Sequence, residues 1–395
     1  MTAKSHPPRL SRRVGALVLV AVVLAALVAA WLATGHDEEV AAPAAVARPE
    51  LERLLVSAVT GPDRIAPGAT AYVHGPHGTW LGAAGVADVA TREPMQPDAR
   101  MRLESVSKIW TATLILQLAQ EGSLRLSDLV ERRLPGVLPY GRRITIGQLL
   151  SHTSGLIDNN DVVRAPRRYL RRVSDAGERA WFRRLGARMG AHPELEFSPM
   201  AWIRLAAWQP LRSRPGTTYH YSNIGFEILG VVAARVTGRS VADLYAERFF
   251  RPLRLRSAAY DPQGPIAGPH AHAYSIAPSG EMIDATDWHG GIGAEGAVVA
   301  DARDTAAFLT ALMAGRLLRP ARLDAMRTGA FWTAAADLAC GADAYGHSGA
   351  GGGFKADVWV SADGGRVAVL LLNGRAGVRT DVSAAGIVNR LYCEA

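Results

Sequence analysis

The chain has 395 residues, of which 49% are hydrophobic and 20% are charged. This composition predicts a folded globular protein rather than a disordered one, and no repeat of 20–50 residues indicates a solenoid or a propeller. The formal net charge is +8, but no aromatic residues are interleaved with the basic ones, so we expect no nucleic-acid site.

The first predicted element is an apolar run of 20 residues, Val14–Ala33. As a helix it reaches across a bilayer core of roughly 30 Å. Basic residues precede it and acidic residues follow it, so the N-terminus is expected in the cytoplasm and the rest outside, in the periplasm or beyond the cell. A cleavable signal peptide remains the alternative, because the small residues Ala30 and Ala33 stand near its end. We therefore expect a single-pass membrane protein with a cytoplasmic tail (1–13), a transmembrane anchor (14–34), a linker (35–50) and a catalytic domain (51–395).

The exported part begins with strands and continues with helices. Alternating residues predict a hairpin from Thr70–Val73 and Trp80–Ala84. Helical spacing predicts a buried helix over Ser105–Glu121, and further helices at Ile146–Leu150 and Ser240–Phe250.

Strands return near the end of the chain, at Ala356–Ser361 and Val367–Leu372, before a last helix at about Val382–Tyr392. Strands at both ends with helices between them predict an α+β fold. In it, one antiparallel sheet is built from the two ends of the exported part, and an all-helical lobe is inserted in the middle.

Ser105 and Lys108 form the first candidate catalytic group. Residues three apart share a face of a helix, so the hydroxyl and the amine can meet. A serine hydroxyl is a weak nucleophile until a neighbouring base accepts its proton, and a buried lysine with a lowered pKa is such a base. Only three of the 44 basic residues are lysine, which favours a specific role for Lys108 over coincidence, because arginine cannot be deprotonated.

Tyr221 and Asn223 form the second candidate group, and either could instead be an ordinary loop residue. A tyrosine near cations can act as a phenolate base. Asn223 offers both a donor and an acceptor, suited to a substrate amide or to orienting Lys108.

The third group is His347, Ser348 and Gly349, in a glycine-rich run just before a predicted strand. Such glycines let the backbone approach a ligand closely, and His347 could contact a substrate carboxylate; a flexible loop is the alternative.

Two cysteines, Cys340 and Cys393, both lie in the exported part. In an oxidising compartment such a pair often forms a disulfide, although two separate thiols remain possible. No motif indicates a metal or an organic cofactor.

Taken together and in this order, the three motifs resemble those of the serine β-lactamase and penicillin-binding protein superfamily. The form is similar to the class C β-lactamase and DD-peptidase branch, which has Tyr-x-Asn second and Lys- or His-x-Gly third. Two further stretches, Ile144–Leu156 and Asp301–Leu309, are also similar to this branch, and the likeness runs from about residue 51 to the end.

The resemblance implies a role for each motif residue. Ser105 would be acylated, Lys108 and Tyr221 would move its proton, and Asn223 would position substrate. The same resemblance implies that His152 is structural. It also places His347, Ser348 and Gly349 on the strand that borders the site. The backbone N–H groups of Ser105 and Ala350 would form the oxyanion hole.

The resemblance leaves the substrate open. The closest expectation is a serine-type D-Ala-D-Ala carboxypeptidase-like enzyme acting on a small-molecule or peptide substrate of the cell envelope. An esterase, a D-aminopeptidase or a β-lactamase are alternatives, and His347 in place of lysine argues against efficient β-lactam hydrolysis.

Two functions other than catalysis remain open. One is a silent receptor or scaffold on the same fold. The other is binding to an anionic or glycan surface through the arginine-rich stretch 158–198, whose basic cluster comprises Arg164, Arg167, Arg168, Arg171 and Arg172.

Overall fold

The structure is a computed structural model. It describes residues 47–395 with gaps at 62–63, 165, 181, 184–197, 263–264, 278, 288–292, 328–332, 335–337, 339, 342 and 376–377. The predicted cytoplasmic tail, the anchor at 14–34, the linker up to residue 46, and residues 165, 181 and 184–197 of the arginine-rich stretch lie outside the described residues. Within the described part of the chain, no helix is both long and apolar enough to span a membrane.

Strands from both ends of the described chain form one six-stranded antiparallel sheet, as the sequence predicts. Its strand order is β2-β1-β11-β10-β9-β8. The N-terminal hairpin pairs directly with the C-terminal strands, with Tyr72 opposite Val369. The strands of this sheet are β1 (Gly68–Gly75), β2 (Gly78–Gly85), β8 (Thr333–Ala334), β9 (Ala344–Gly351), β10 (Phe354–Ser361) and β11 (Val367–Leu372).

The sheet is covered on both faces, which explains why β11 is apolar at every position. Alternate side chains of a strand point to opposite faces. Val369 and its alternate neighbours join the main core, whereas Leu370 and its alternate neighbours join a second, smaller core. Helices α1 (Pro49–Val59) and α12 (Val378–Cys393) pack on that second face.

Helices fill the middle of the chain. The longest buried one is α2 (Lys108–Gln120), whose residues 108–119 are all buried. The others are α3 (Val130–Arg133), α4 (Ile146–Leu150), α5 (Asn159–Arg164), α6 (Pro166–Leu170), α7 (Pro199–Ala207), α8 (Asn223–Thr237), α9 (Val241–Tyr245), α10 (Ala302–Met313) and α11 (Pro320–Arg327).

Local sequence sets where several of these helices begin. Thr145 forms a capping box with Gln148 at the start of α4. The side chains of Ser222, Ser240 and Asp301 accept hydrogen bonds from backbone N–H groups at the starts of α8, α9 and α10. Each cap satisfies a backbone donor that has no partner inside the helix.

Two small sheets complete the fold. One has the order β3-β7-β4 and the other the order β12-β5-β6. Strand β3 of the first sheet comes just before the turn that leads into α2, and strand β12 of the second follows β11. Their strands are β3 (Met101–Arg102), β4 (Ala259–Tyr260), β5 (Tyr274–Ile276), β6 (Met282–Asp284), β7 (Val298–Ala300) and β12 (Gly374–Arg375).

Cys340 and Cys393 form a disulfide across a sequence separation of 53 residues. It joins the segment before β9 to the end of α12. The open alternative of two separate thiols is therefore wrong, and the bridge ties the last helix to the edge of the large sheet.

Candidate active site

Ser105 lies in a tight turn that leads into the buried helix α2. The turn is a 3₁₀ helix, Glu104–Ser107, and the regular α-helix begins only at Lys108. The prediction that Ser105 opens the α-helix is therefore wrong by three residues. The 3₁₀ geometry still brings the side chains of Ser105 and Lys108 together, because residues three apart in it lie almost directly above one another.

Lys108 is fully buried and has three hydrogen bonds. Its Nζ donates to Ser105 Oγ at 3.0 Å, to the backbone oxygen of Glu295 at 2.8 Å and to Glu295 Oε2 at 2.8 Å. An ammonium group has three N–H donors. All three are therefore used by two residues, Ser105 and Glu295.

Glu295 is a residue of the site that sequence reasoning missed. It lies 187 positions from Lys108, in a loop before β7, and one acid in a loop carries no motif. The only available sign was physical: a buried lysine needs a nearby counter-charge.

Buried polar groups hold the backbone beside Glu295 in place. The Glu227 carboxyl, on α8, accepts hydrogen bonds from Gly293 N at 2.7 Å and Ala294 N at 3.2 Å. The hydroxyl of Thr111, on α2, donates to the backbone oxygen of Ala294. Burial, reinforced by the charge of Glu295, raises the pKa of Glu227 to about 8.

The protonation state of Lys108 differs from the sequence-based prediction. Burial, the largest single effect, lowers the pKa of Lys108, but the Glu295 carboxylate and Tyr221 outweigh it and raise that pKa above its ordinary value. The expectation of a neutral lysine with a lowered pKa is therefore wrong, because the sequence did not reveal Glu295. Lys108 is an ammonium ion that donates to Ser105.

Tyr221 approaches Ser105 from the other side. Its hydroxyl donates to Ser105 Oγ at 2.9 Å, and Lys108 Nζ lies 5.2 Å from its ring centroid. The structure thus brings together Ser105, Lys108 and Tyr221, the three predicted catalytic residues.

His152 supports Tyr221 from behind. The two rings stack with centroids 4.5 Å apart, and His152 Nδ1 accepts a hydrogen bond from Ser222 N at 3.2 Å. Burial, with a contribution from the charge of Lys108, lowers the pKa of His152 to about 3, so the ring is neutral. These contacts fit the structural role that the resemblance implied.

Asn223 is the first residue of α8, two positions after Tyr221. Its backbone N–H donates to Asp158 Oδ1 at 3.0 Å, and its Nδ2 donates to Asn159 Oδ1 at 2.9 Å. Among the described residues no hydrogen bond joins Asn223 to Lys108, whose three donors go to Ser105 and Glu295, so the alternative that Asn223 orients Lys108 is wrong.

The third motif lies inside strand β9 rather than in a loop before a strand, since β9 spans Ala344–Gly351. A Cβ on Gly349 would stand 2.2 Å from Leu103 O and 3.0 Å from Ser105 N. Only glycine lets β9 pass this close to Ser105. Ala350 follows, opposite Lys355 of β10, and the oxyanion hole of Ser105 and Ala350 remains a prediction.

His347 and Ser348 have different surroundings on the two faces of β9. His347 is half-buried, and desolvation of its ring, followed by the positive charge of Lys108, lowers its pKa, so the imidazole is neutral. Ser348 Oγ accepts a hydrogen bond from the buried ammonium of Lys355, which is also paired with Asp357 at 2.6 Å. Sequence reasoning gave Lys355 no role.

Chemically, the arrangement is a serine hydroxyl held between an ammonium group and a phenol. The ammonium stabilises negative charge on Ser105 Oγ, and the phenol oxygen is placed to exchange a proton with it. Within the described residues, no group of three or more His, Cys, Asp or Glu is placed to hold a metal ion.

A family model described as Beta-lactamase matches residues 51–390. Among solved structures, a D-stereospecific amidohydrolase from Streptomyces sp. is similar, with a TM-score of 0.72 and 28% identity over 86% of this chain and 98% of that one.

Curated relatives match over a shorter region. Penicillin-binding protein 4 of Amycolatopsis lactamdurans is 28% identical over 46% of this chain and 41% of its own length. A D-aminopeptidase of Brucella ovis is 31% identical over 49% of this chain and 33% of its own length. The matches therefore span less than half of these relatives.

Proposed function

The chain belongs to the beta-lactamase family, and on this basis we propose that it is a serine hydrolase that cleaves an amide bond through an acyl-enzyme on Ser105. The observation that carries the proposal is the position of Ser105 Oγ, 3.0 Å from Lys108 Nζ and 2.9 Å from the Tyr221 hydroxyl. A fully buried lysine that donates to a serine hydroxyl fits the activation of a nucleophile.

The geometry supports a sequence of proton transfers in which Lys108 stays charged. Once Tyr221 has released its own proton to solvent, its oxygen takes the Ser105 hydroxyl proton while Ser105 Oγ bonds to the substrate carbonyl carbon and the carbonyl π electrons move to the oxyanion. The oxyanion accepts hydrogen bonds from the backbone N–H groups of Ser105 and Ala350. The Tyr221 hydroxyl then protonates the leaving nitrogen as the C–N bond breaks, and water releases the acyl group by the reverse transfers.

As substrate we propose a small D-amino-acid amide or peptide. Two relatives support this choice, the D-stereospecific amidohydrolase and the D-aminopeptidase. A DD-carboxypeptidase-like reaction is the second candidate, supported by the likeness to penicillin-binding protein 4. The site favours the first, because the neutral His347 offers no positive charge to a terminal carboxylate.

We propose that the enzyme acts outside the cytoplasm and is attached to the membrane by residues 14–34. The apolar run with basic residues before it supports this, and so does the disulfide, since disulfides persist in oxidising compartments.

The test is hydrolysis of D-phenylalanine amide and p-nitrophenyl acetate by the full chain. We expect turnover of both by the wild type, and a loss of at least ~10³-fold in Ser105→Ala with the fold intact by circular dichroism. Equal turnover by Ser105→Ala would refute the proposal. A persistent penicillin adduct without amide turnover would favour the DD-carboxypeptidase-like candidate.

A further inference from the structure

The residue before Ser105, Glu104, is a buried acid that the proposed mechanism does not use. It is only 5% exposed, and its backbone φ is 50°. This left-handed conformation is costly for a residue with a side chain, whereas glycine adopts it freely. A large acidic side chain at this position therefore has a cost both in backbone strain and in burial.

The Glu104 carboxyl fills the space between the turn of Ser105 and strand β9. Gly351 has no Cβ, and one built there would stand 2.4 Å from Glu104 Oε2. Two residues earlier on β9, a Cβ on Gly349 would stand 3.1 Å from Glu104 Cβ. Glu104 is thus packed against β9 at the two glycines that flank Ala350.

This packing connects the two backbone N–H groups of the predicted oxyanion hole. One belongs to Ser105, which directly follows Glu104, and the other belongs to Ala350. The strength of a hydrogen bond depends steeply on its distance and angle, so the spacing of the two groups decides how well they stabilise an oxyanion. The side chain of Glu104 lies where it can set that spacing.

The Glu104 carboxyl is uncharged at neutral pH. Burial raises the pKa of Glu104 to about 8, and the nearby charge of Glu295 adds to this effect. Three cations act in the opposite direction without cancelling it: Arg102, Lys108 and Arg375. Glu104 Oε1 makes no hydrogen bond to any described residue, so a negative charge on it has little compensation.

The two strands that pack against the turn add little net charge beside Glu104. Strand β9 carries His347, which is neutral because its pKa is lowered. Strand β10 carries Lys355 and Asp357, which are paired with each other at 2.6 Å. The protonated acid is therefore the form of Glu104 that is present below about pH 8.

Ionisation of Glu104 works against the reaction. The carboxylate would stand beside the turn whose N–H group receives the oxyanion, and two negative charges in a buried site repel each other strongly. Catalysis should therefore proceed with neutral Glu104 and weaken as the pH rises through its pKa of about 8.

We propose that Glu104 is a positioning residue for the reaction, whose neutral side chain spaces the turn of Ser105 from strand β9 so that both N–H groups reach the oxyanion. The proposal rests on the proposed acyl-enzyme function. It adds an alkaline limit on activity that belongs to neither Lys108 nor Tyr221.

The test is the pH dependence of kcat/KM for D-phenylalanine amide, with the full wild-type chain compared with Glu104→Gln. Glutamine keeps the size of the side chain and cannot ionise. Lys108, Tyr221 and the substrate amine titrate in both proteins, so their effects cancel in the ratio. We expect the two proteins to agree within ~3-fold at about pH 7, and Glu104→Gln to exceed the wild type at least ~5-fold at about pH 9.5, where most of the wild-type carboxyl is ionised.

Glu227→Gln is the matched control. Glu227 is also a buried acid whose pKa is raised to about 8, but its carboxyl accepts hydrogen bonds from Gly293 N and Ala294 N. This variant should keep the alkaline loss of activity seen in the wild type. If Glu227→Gln removed that loss and Glu104→Gln kept it, the assignment to Glu104 would be wrong.

A pair of substitutions tests the packing independently of charge. Gly351→Ala adds the Cβ that would meet Glu104 Oε2, so we expect kcat at about pH 7 to fall at least ~5-fold with KM nearly unchanged, because the oxyanion forms only after substrate has bound. In a Glu104→Gly background the same change should cost less than ~2-fold, since the carboxyl is gone. Equal losses in the two backgrounds would overturn the spacing role.

The outcomes separate this proposal from the proposed function. Turnover by the wild type with the same pH profile in Glu104→Gln, in proteins that circular dichroism shows to be folded, would overturn the role of Glu104 and leave the acyl-enzyme standing. Failure of the wild type with both D-phenylalanine amide and p-nitrophenyl acetate would instead count against the serine hydrolase itself.

Discussion

At the scale of single residues, the charge on Lys108 decides how Ser105 is activated. Among the described residues, eight titratable groups interact electrostatically with this ammonium, and of these eight only Glu295, at 2.8 Å, bonds to it through both a side-chain and a backbone oxygen. The groups are Glu104, His152, Asp158, Tyr219, Tyr221, Glu227, Glu295 and His347. Glu295 therefore keeps Lys108 charged, and in the proposed mechanism Tyr221 is the proton acceptor.

Replacing Glu295 with glutamine tests this assignment. The substitution removes the Glu295 charge, so that only Tyr221 opposes the effect of burial and the pKa of Lys108 falls. Activity should then be lost as the pH rises through that lowered pKa, and this loss should occur at a lower pH than in the wild type. The measurement is kcat/KM against pH for an ester and an amide.

The exposed pair of Arg239 and Glu247 provides the control. Glu247→Gln removes a carboxylate that is paired with Arg239 at the surface and should leave the pH profile unchanged. If Glu295→Gln instead gained activity with rising pH, Lys108 would be the base after all.

Sequence reasoning found the residues of this site that carry motifs and missed the one that does not. Ser105, Lys108 and Tyr221 were predicted because spacing on one turn and a familiar order of motifs identify them. Glu295 could not be predicted, since the contact depends on how a loop folds back over 187 positions. The error about the pKa of Lys108 follows directly from that omission.

At the scale of elements, the approach of strand β9 to the turn of Ser105 shapes the site. The strand passes so close that a Cβ at Gly349 would overlap Leu103 O. Hairpin and helix positions were predictable from local patterns, and α4 begins and ends where the sequence indicated. The strand at His347 was not, because a glycine-rich run gives no periodic signal and its pairing with β10 is not local.

Gly349→Ala tests the close approach. The added methyl group must push β9 from the turn, so we expect a loss of at least ~10-fold in kcat/KM together with lower stability. Gly386→Ala is the matched control, because nothing lies within 4 Å of a Cβ at this position on α12. It should leave activity unchanged and stabilise the helix slightly. Full activity of Gly349→Ala would show that β9 does not border the site this closely.

The disulfide acts on the same scale, between the segment before β9 and helix α12. Closing a loop over 53 positions restricts the unfolded chain and is worth up to about 4 kcal/mol in the chain-entropy treatment. We expect the double variant Cys340→Ser, Cys393→Ser to lose about 2–4 kcal/mol in urea unfolding. Dithiothreitol should lower the free energy of unfolding of the wild type by the same amount, whereas it should leave that of the variant unchanged. A wild-type unfolding curve indifferent to the reductant would contradict the bridge.

At the scale of the whole molecule, the two ends of the described chain form one sheet and the helices between them supply the other wall of the site. The α+β class and the closure of the sheet by the two ends were predictable, because strand patterns stand at both ends of the sequence. The structure of the arginine-rich stretch 158–198 could not be predicted in this way, since its sequence shows neither helical nor strand periodicity. Residues 184–197 of it lie outside the described residues.

The central claim is that Ser105 is the nucleophile, and its most direct test is covalent labelling. The full chain would be incubated with a fluorophosphonate, whose phosphorus forms a bond to an activated serine oxygen as fluoride leaves, and its intact mass and labelled peptide would be measured. We predict one adduct, on the peptide that contains Ser105, absent from Ser105→Ala and much slower to form in Tyr221→Phe. An adduct of the same size on Ser105→Ala, or none on the wild type, would contradict the account.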